Sequence, residues 1–168
     1  MNDNKFLTVF AVFDEETQKK LKCYQDKVLS LGYKGDQTMD IPFHISLGTY
    51  SVLEEEKLKE KIYEVCKENK SFEIKLNNVN RFNYRVLFIE PKINEELLNL
   101  HSIFDNDIFN HPWPWSPHAT IFMGEEGQVK EAEQCLTQIF KPLNAKIVGI
   151  QMGEFFPTRM IIEEMLQK

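Results

Sequence analysis

The chain has 168 residues, 42% hydrophobic and 27% charged, with a net charge of −6 at pH 7; that is the make-up of one globular domain, 1–168, long enough to bury its own core. Three arginines (Arg81, Arg85, Arg159) in an acidic chain cannot form the basic stripe that grips long DNA or RNA, and no apolar run is long enough to cross a bilayer. No basic, apolar leader opens the sequence, and Cys23, Cys66 and Cys135 are scattered without a Cys-x-x-Cys pair, so they read as reduced core thiols in a cytoplasmic protein.

Residues 6–13, rich in Phe and Val, read as a buried strand. Asp14 is placed to cap a helix with Glu15 and Glu16 in its first turn and Leu21, Tyr24, Val28 and Leu31 at helical spacing, closed by Gly32. A loop over 33–42 leads into a strand at 43–50. Ser51-Val52-Leu53-Glu54 fits a capping box for a helix with Leu58, Ile62, Val65 and Cys66 inward. Phe72, Ile74 and Leu76 alternate with polar residues as a half-buried strand, and 77–84 reads as its end and a turn.

The order then starts again. Residues 85–90 form an apolar strand that Pro91 is expected to stop. Asn94 caps a helix with Leu97, His101, Phe104 and Ile108 on one face. A loop over 110–117 precedes a strand at 118–124, and Gly127 precedes a further helix. Strands at 145–152 and 159–163 follow. Each half thus reads strand, helix, loop, strand, helix, strand, which predicts an internal duplication with lobes of roughly 1–80 and 81–168. The predicted fold is α+β, bilobal about a pseudo-two-fold axis, with antiparallel-rich sheets lining a central cleft and helices outside.

One pattern recurs at corresponding positions: Pro42-Phe43-His44-Ile45-Ser46-Leu47 and Pro117-His118-Ala119-Thr120-Ile121-Phe122. Side chains alternate along a strand, so His44 and Ser46 share one face, and His118 and Thr120 share another. Thirteen of the 168 residues are Ser or Thr, so two of the four histidines gaining one at the second position by chance is a rare event. The bland alternative is a pair of half-buried strands whose His and hydroxyl groups bond for structural reasons. Facing each other, the two strands would set two bases and two hydroxyl donors around one small volume, an arrangement suited to moving protons across a phosphate ester.

These motifs resemble the paired His-x-Thr/Ser-x signatures of the two-histidine phosphoesterase superfamily, which includes 2′-5′ RNA ligase-like proteins and cyclic nucleotide phosphodiesterases. The resemblance covers nearly the whole chain in element order, while residue-level matching is confined to the two motifs. It implies a phosphoric diester hydrolase that opens 2′,3′-cyclic phosphates or cleaves 2′-5′ bonds without a metal or cofactor. It further implies His44 and His118 as the catalytic pair, with Ser46 and Thr120 on the phosphate. The near-symmetric pair is assigned with His118 as base and His44 as acid. The acidic composition favours a small nucleotide or a short oligonucleotide end as partner. A catalytically silent nucleotide-binding module with the same cleft is the alternative, and the oligomeric state is not legible.

Other candidates follow from position. Trp113 and Trp115, in a Pro-rich loop before His118, could stack on a base or cover the core. Tyr50 falls on the His44 face. Arg159, Arg85 and Arg81 are candidate phosphate clamps. His101 sits on an apolar helix stripe as a structural residue. His111 lies near His118, yet no His-Glu-x-x-His or clustered carboxylates point to a metal.

Overall fold

A computed structural model describes residues 4–168. Strand β1 (Phe6–Phe13) leads into helix α1 (Glu15–Leu29), whose first turn is capped by the Asp14 carboxylate accepting from the Thr17 amide at 3.1 Å. Gly32, at φ +99°, turns the chain past the helix end, and Leu31 lies beyond the helix and is exposed. Strand β2 (His44–Ser51) follows. The Ser51/Glu54 capping box closes around a 3-10 turn (Val52–Glu54) that feeds α2 (Glu55–Glu68). Strand β3 (Phe72–Phe82), β4 (Val86–Lys92), α3 (Glu95–Phe104), β5 (Ala119–Met123), α4 (Glu126–Ile139), β6 (Leu143–Phe155) and β7 (Arg159–Met165) complete the chain.

The fold is α+β, with four helices packed on an antiparallel sheet of seven strands ordered β2-β1-β6-β3-β4-β5, β7 pairing β6. The halves exchange their third strands. β3, from the first half, pairs β4; β6, from the second, pairs β1. β6 is long enough to serve both lobes: residues 143–147 pair β3, and residues 147–155 pair β1. Helices are exchanged too, since α1 packs on α4 and β5 while α3 packs on β2. The main apolar core runs through both lobes, from Leu7, Val9 and Ala11 on β1 to Leu87 and Ile89 on β4.

Several element bounds differ from those predicted. The polar run at 77–84 is not a turn, because β3 continues to Phe82 against β4. Pro91 does not stop β4: β5 reaches only as far as Ile89, so the missing amide of Pro91 costs no ladder bond on that side. Helix α3 ends at Phe104, leaving Ile108 in an exposed loop, and Gly127 lies inside the first turn of α4. Only Cys66 among the three cysteines is buried, and all three are free. Among the described residues no helix is long and apolar enough to cross a membrane.

Candidate active site

The two histidine strands repeat each other residue by residue. On β2, His44 stands opposite Val12 and Ser46 opposite Phe10. A bulge then drops Leu47 from the ladder, so Gly48 pairs Val9. On β5, Ala119 stands opposite Ile89 and Thr120 opposite Phe88, and a bulge drops Ile121 so that Phe122 pairs Leu87. Ile45, Leu47, Ala119 and Ile121 are buried in the core, which turns the His and hydroxyl faces outward together.

Each imidazole is held the same way. His44 Nδ1 donates to the Pro42 carbonyl at 2.8 Å, and His118 Nδ1 to the Ser116 carbonyl at 2.8 Å. A carbonyl only accepts, so the proton of each neutral ring is fixed on Nδ1 and the lone pair on Nε2 is left free. Aromatic rings seat them: Phe10 at 4.4 Å from His44, and Phe88 and Phe82 at 5.1 and 4.8 Å from His118, between ring centres.

Both rings are half-buried, and desolvation lowers both pKa values. His44 is pushed down to about 4 by burial, against the opposing effect of the Pro42 carbonyl and with a lesser lowering from His118; His118 is lowered by burial against the Ser116 carbonyl. A proton on His118 thus disfavours one on His44.

His44, Ser46 and Thr120 wall one cleft of about 860 Å³. His118 is not part of that wall and stands one residue ahead of β5, two residues before Thr120. Helix α1 supplies Gln18, Lys19 and Lys22, and the far end carries Phe6, Phe155 and Phe156. Gln18 spans to the residue before His44: its Nε2 donates to the Phe43 carbonyl at 2.8 Å and its Oε1 accepts from the Phe43 amide at 2.9 Å.

A family model for the 2′-5′ RNA ligase superfamily matches residues 17–154. The chain belongs to that superfamily. By sequence, no curated protein matches it significantly. Among solved structures, E. coli LigT in apo form superimposes with a TM-score of 0.64 at 12% identity, covering 98% of each chain. LigT complexed with ATP gives 0.65 at 15% identity, again over 98% of each chain. TT0787 of Thermus thermophilus gives 0.64 at 15% identity, over 96% of this chain and 98% of its own. These neighbours share the fold.

In this member of the 2′-5′ RNA ligase superfamily, several side chains picked from the sequence lie away from the cleft. Tyr50 was expected on the His44 face, but the bulge at Leu47 reverses the alternation. Its ring is buried opposite Leu7, and its hydroxyl donates to the Phe104 carbonyl at 2.7 Å. Arg159 is held by two carboxylates, Glu55 at 2.7 Å and Glu154 at 3.3 Å, with no surplus charge to offer a phosphate. Arg81 pairs with Glu133 and Arg85 with Glu125.

Trp115 stacks on His101 at 3.7 Å and donates from Nε1 to the Ser46 carbonyl at 3.0 Å, so it braces the site from behind. Trp113 is 65% exposed, stacked on His111 and outside the cleft lining. His111 is bonded to Asp107 at 2.8 Å, and among the described residues no group of three or more potential metal ligands is gathered.

Sequence reasoning missed Gln18, Lys19, Lys22 and the phenylalanines at the far end. The i, i+1 and i+4 spacing of the first three marked only a solvated face of α1. Phe155 and Phe156 sat between two strand patterns with no local sign of the cleft.

Proposed function

We propose that this protein is a metal-independent phosphodiesterase that opens 2′,3′-cyclic phosphates or hydrolyses 2′-5′ phosphodiester bonds of a small nucleotide or short RNA end. The observation that carries this reading is the matched pair of Nδ1 bonds, which leaves both Nε2 atoms free, His44 in the cleft wall with Ser46 and Thr120 and His118 two residues before Thr120. Superfamily membership supports phosphoesterase chemistry. LigT, solved complexed with ATP, 3′-AMP and NADP+, makes a nucleotide a reasonable ligand class for a cleft of the same fold.

His44, the more strongly desolvated ring, acts as general base: its Nε2 takes a proton from water as the water oxygen bonds to phosphorus. His118, carrying a proton on Nε2, gives it to the departing sugar oxygen as the P–O bond breaks. Repulsion between two imidazolium ions disfavours a second proton on the pair, so the working form is the singly protonated one, in which one ring is base and the other acid. Ser46 and Thr120 donate to the non-bridging oxygens as charge builds there. This reverses the roles assigned from the sequence, where nothing distinguished the burial of the two strands.

Turnover of 2′,3′-cyclic and 2′-5′-linked substrates in EDTA tests the reading. His44→Ala and His118→Ala should each lower kcat by roughly 10²- to 10⁴-fold with an unchanged circular dichroism spectrum. Unaltered rates in both variants reject it.

A further inference from the structure

We propose that His101 is a positioning residue of the site: its stack on Trp115 registers the second histidine, His118, against the strand that carries the first. Its part in turnover rests on the phosphodiesterase reading. Residues 111–118 lie in no helix or strand, so no backbone ladder fixes the Ser116 carbonyl that accepts from His118 Nδ1 at 2.8 Å. The local sequence, Pro114-Trp115-Ser116-Pro117, makes one side chain decisive. A proline has a fixed φ and holds the residue before it in extended backbone. Ser116 therefore has little freedom of its own, and its carbonyl follows the seating of Trp115.

Trp115 is gripped on two sides, and both grips lead back to β2. Its Nε1 donates to the Ser46 carbonyl at 3.0 Å. Its ring lies on the His101 imidazole, 3.7 Å between centres with the planes 6° apart. His101 stands on α3, whose Leu97, Leu100 and Phe104 are buried in the core. The end of that helix is tied to β2: the Tyr50 hydroxyl donates to the Phe104 carbonyl at 2.7 Å, and the Thr49 amide donates to the Asn106 carbonyl at 2.8 Å. The strand of His44 and the plane of the indole thus share one reference, and the peptide beside the indole holds His118. Burial lowers the pKa of His101 against the opposing effect of Asp105, 3.5 Å from its Nε2. At neutral pH the ring therefore meets the indole uncharged, as a flat surface.

Two variants test this beside the wild type: His101→Leu, which keeps apolar bulk without a flat face, and His101→Phe, which keeps the face without the imidazole. Long-range proton–nitrogen NMR reads which ring nitrogen of each histidine carries the proton. His118 should be the Nδ1-protonated tautomer in wild type and in His101→Phe, and a mixture of tautomers in His101→Leu, with His44 unmoved in all three. His101→Leu should lower kcat on 2′,3′-cyclic AMP about tenfold with KM unchanged. It should spare the rate on a nitrophenyl phosphodiester, which needs no proton from His118, and His101→Phe should match wild type on both substrates. An unaltered His118 tautomer in His101→Leu overturns the proposal. So does an equal fall on both substrates, or a change at His44 alongside His118, either of which marks a general loosening of the fold. A His101→Phe as impaired as His101→Leu also overturns it, giving the role to the imidazole's pairing with Asp105. Failure of the phosphodiesterase reading is separate: wild-type protein would then turn over neither substrate, while His118 would still lose its single tautomer in His101→Leu.

Discussion

Gln18 and Phe43 are joined by two hydrogen bonds between one side-chain amide and one residue's backbone, at 2.8 and 2.9 Å. The clamp runs from α1 to the residue that separates Pro42, whose carbonyl orients the His44 ring, from His44 itself. Gln18 is therefore a positioning residue. Gln18→Leu leaves both backbone groups unpaired and should lower kcat about tenfold while shifting the pH limb governed by His44. Gln18→Glu still accepts from the Phe43 amide but cannot donate to the carbonyl, so its effect should be intermediate. Steady-state rates across pH for the three proteins check this.

Trp115 offers a second such test. Its indole N–H donates to the Ser46 carbonyl from a loop in the other half of the chain. Trp115→Phe keeps a ring on His101 but orphans that carbonyl, at a cost of about 1–3 kcal/mol in stability. The expected signature is a lower melting temperature with kcat reduced more than KM is raised, read by scanning calorimetry and initial rates.

The assignment of acid and base is open to a leaving-group test. A nitrophenyl phosphodiester of a nucleoside needs no protonation of its leaving group. His118→Ala should retain most of the wild-type rate on that ester, whereas His44→Ala should remain inactive; the opposite outcome exchanges the two roles. On the proposed roles the productive form has His44 neutral and His118 protonated, so kcat/KM should form a bell on the acid side of neutrality, rising through about pH 4.

Burial of His44 also leaves a mark on stability. Its folded pKa of about 4 lies below the unfolded value of 6.5, so the unfolded chain binds the extra proton between those values. Stability therefore falls as pH drops from 6.5 toward 4, by on the order of 3 kcal/mol from this group, and levels off below. Urea titrations across that range should reveal a shallower fall in His44→Gln than in wild type.

The core side of β2 makes the opposite prediction. Tyr50→Phe removes a buried bond to the Phe104 carbonyl and should cost about 0.5–1.5 kcal/mol without altering kcat. Gly48→Ala should be far worse, because a Cβ there would lie 2.0 Å from the Phe104 carbonyl oxygen. Chemical denaturation of both variants checks the contrast.

The period-two placement of His44 with Ser46 was legible because alternation is a property of a single strand, whereas His118 lies one residue ahead of β5 and outside the cleft wall that holds Thr120. What depends on pairing was not legible. The bulge at Leu47 arises only where β2 meets β1, and it carries Tyr50 to the core when simple alternation puts it beside His44. Arg159 looked free because Glu55 is 104 residues away, and the stack of Trp115 on His101 has no local signature. The exchange of third strands likewise leaves no trace in either half, since β3 and β6 carry the same alternation whichever neighbour they take.

β6 runs from one half of the sheet to the other as a single strand, its first residues laddered to β3 and its last to β1, with a register shift at Val148 where the two ladders meet. The ladders that carry the two histidine strands thus hang on one backbone, and Val148, the extra residue of β6 where its two ladders meet, is the place at which that backbone can bend. A change in the width of the groove is expected to be taken up there.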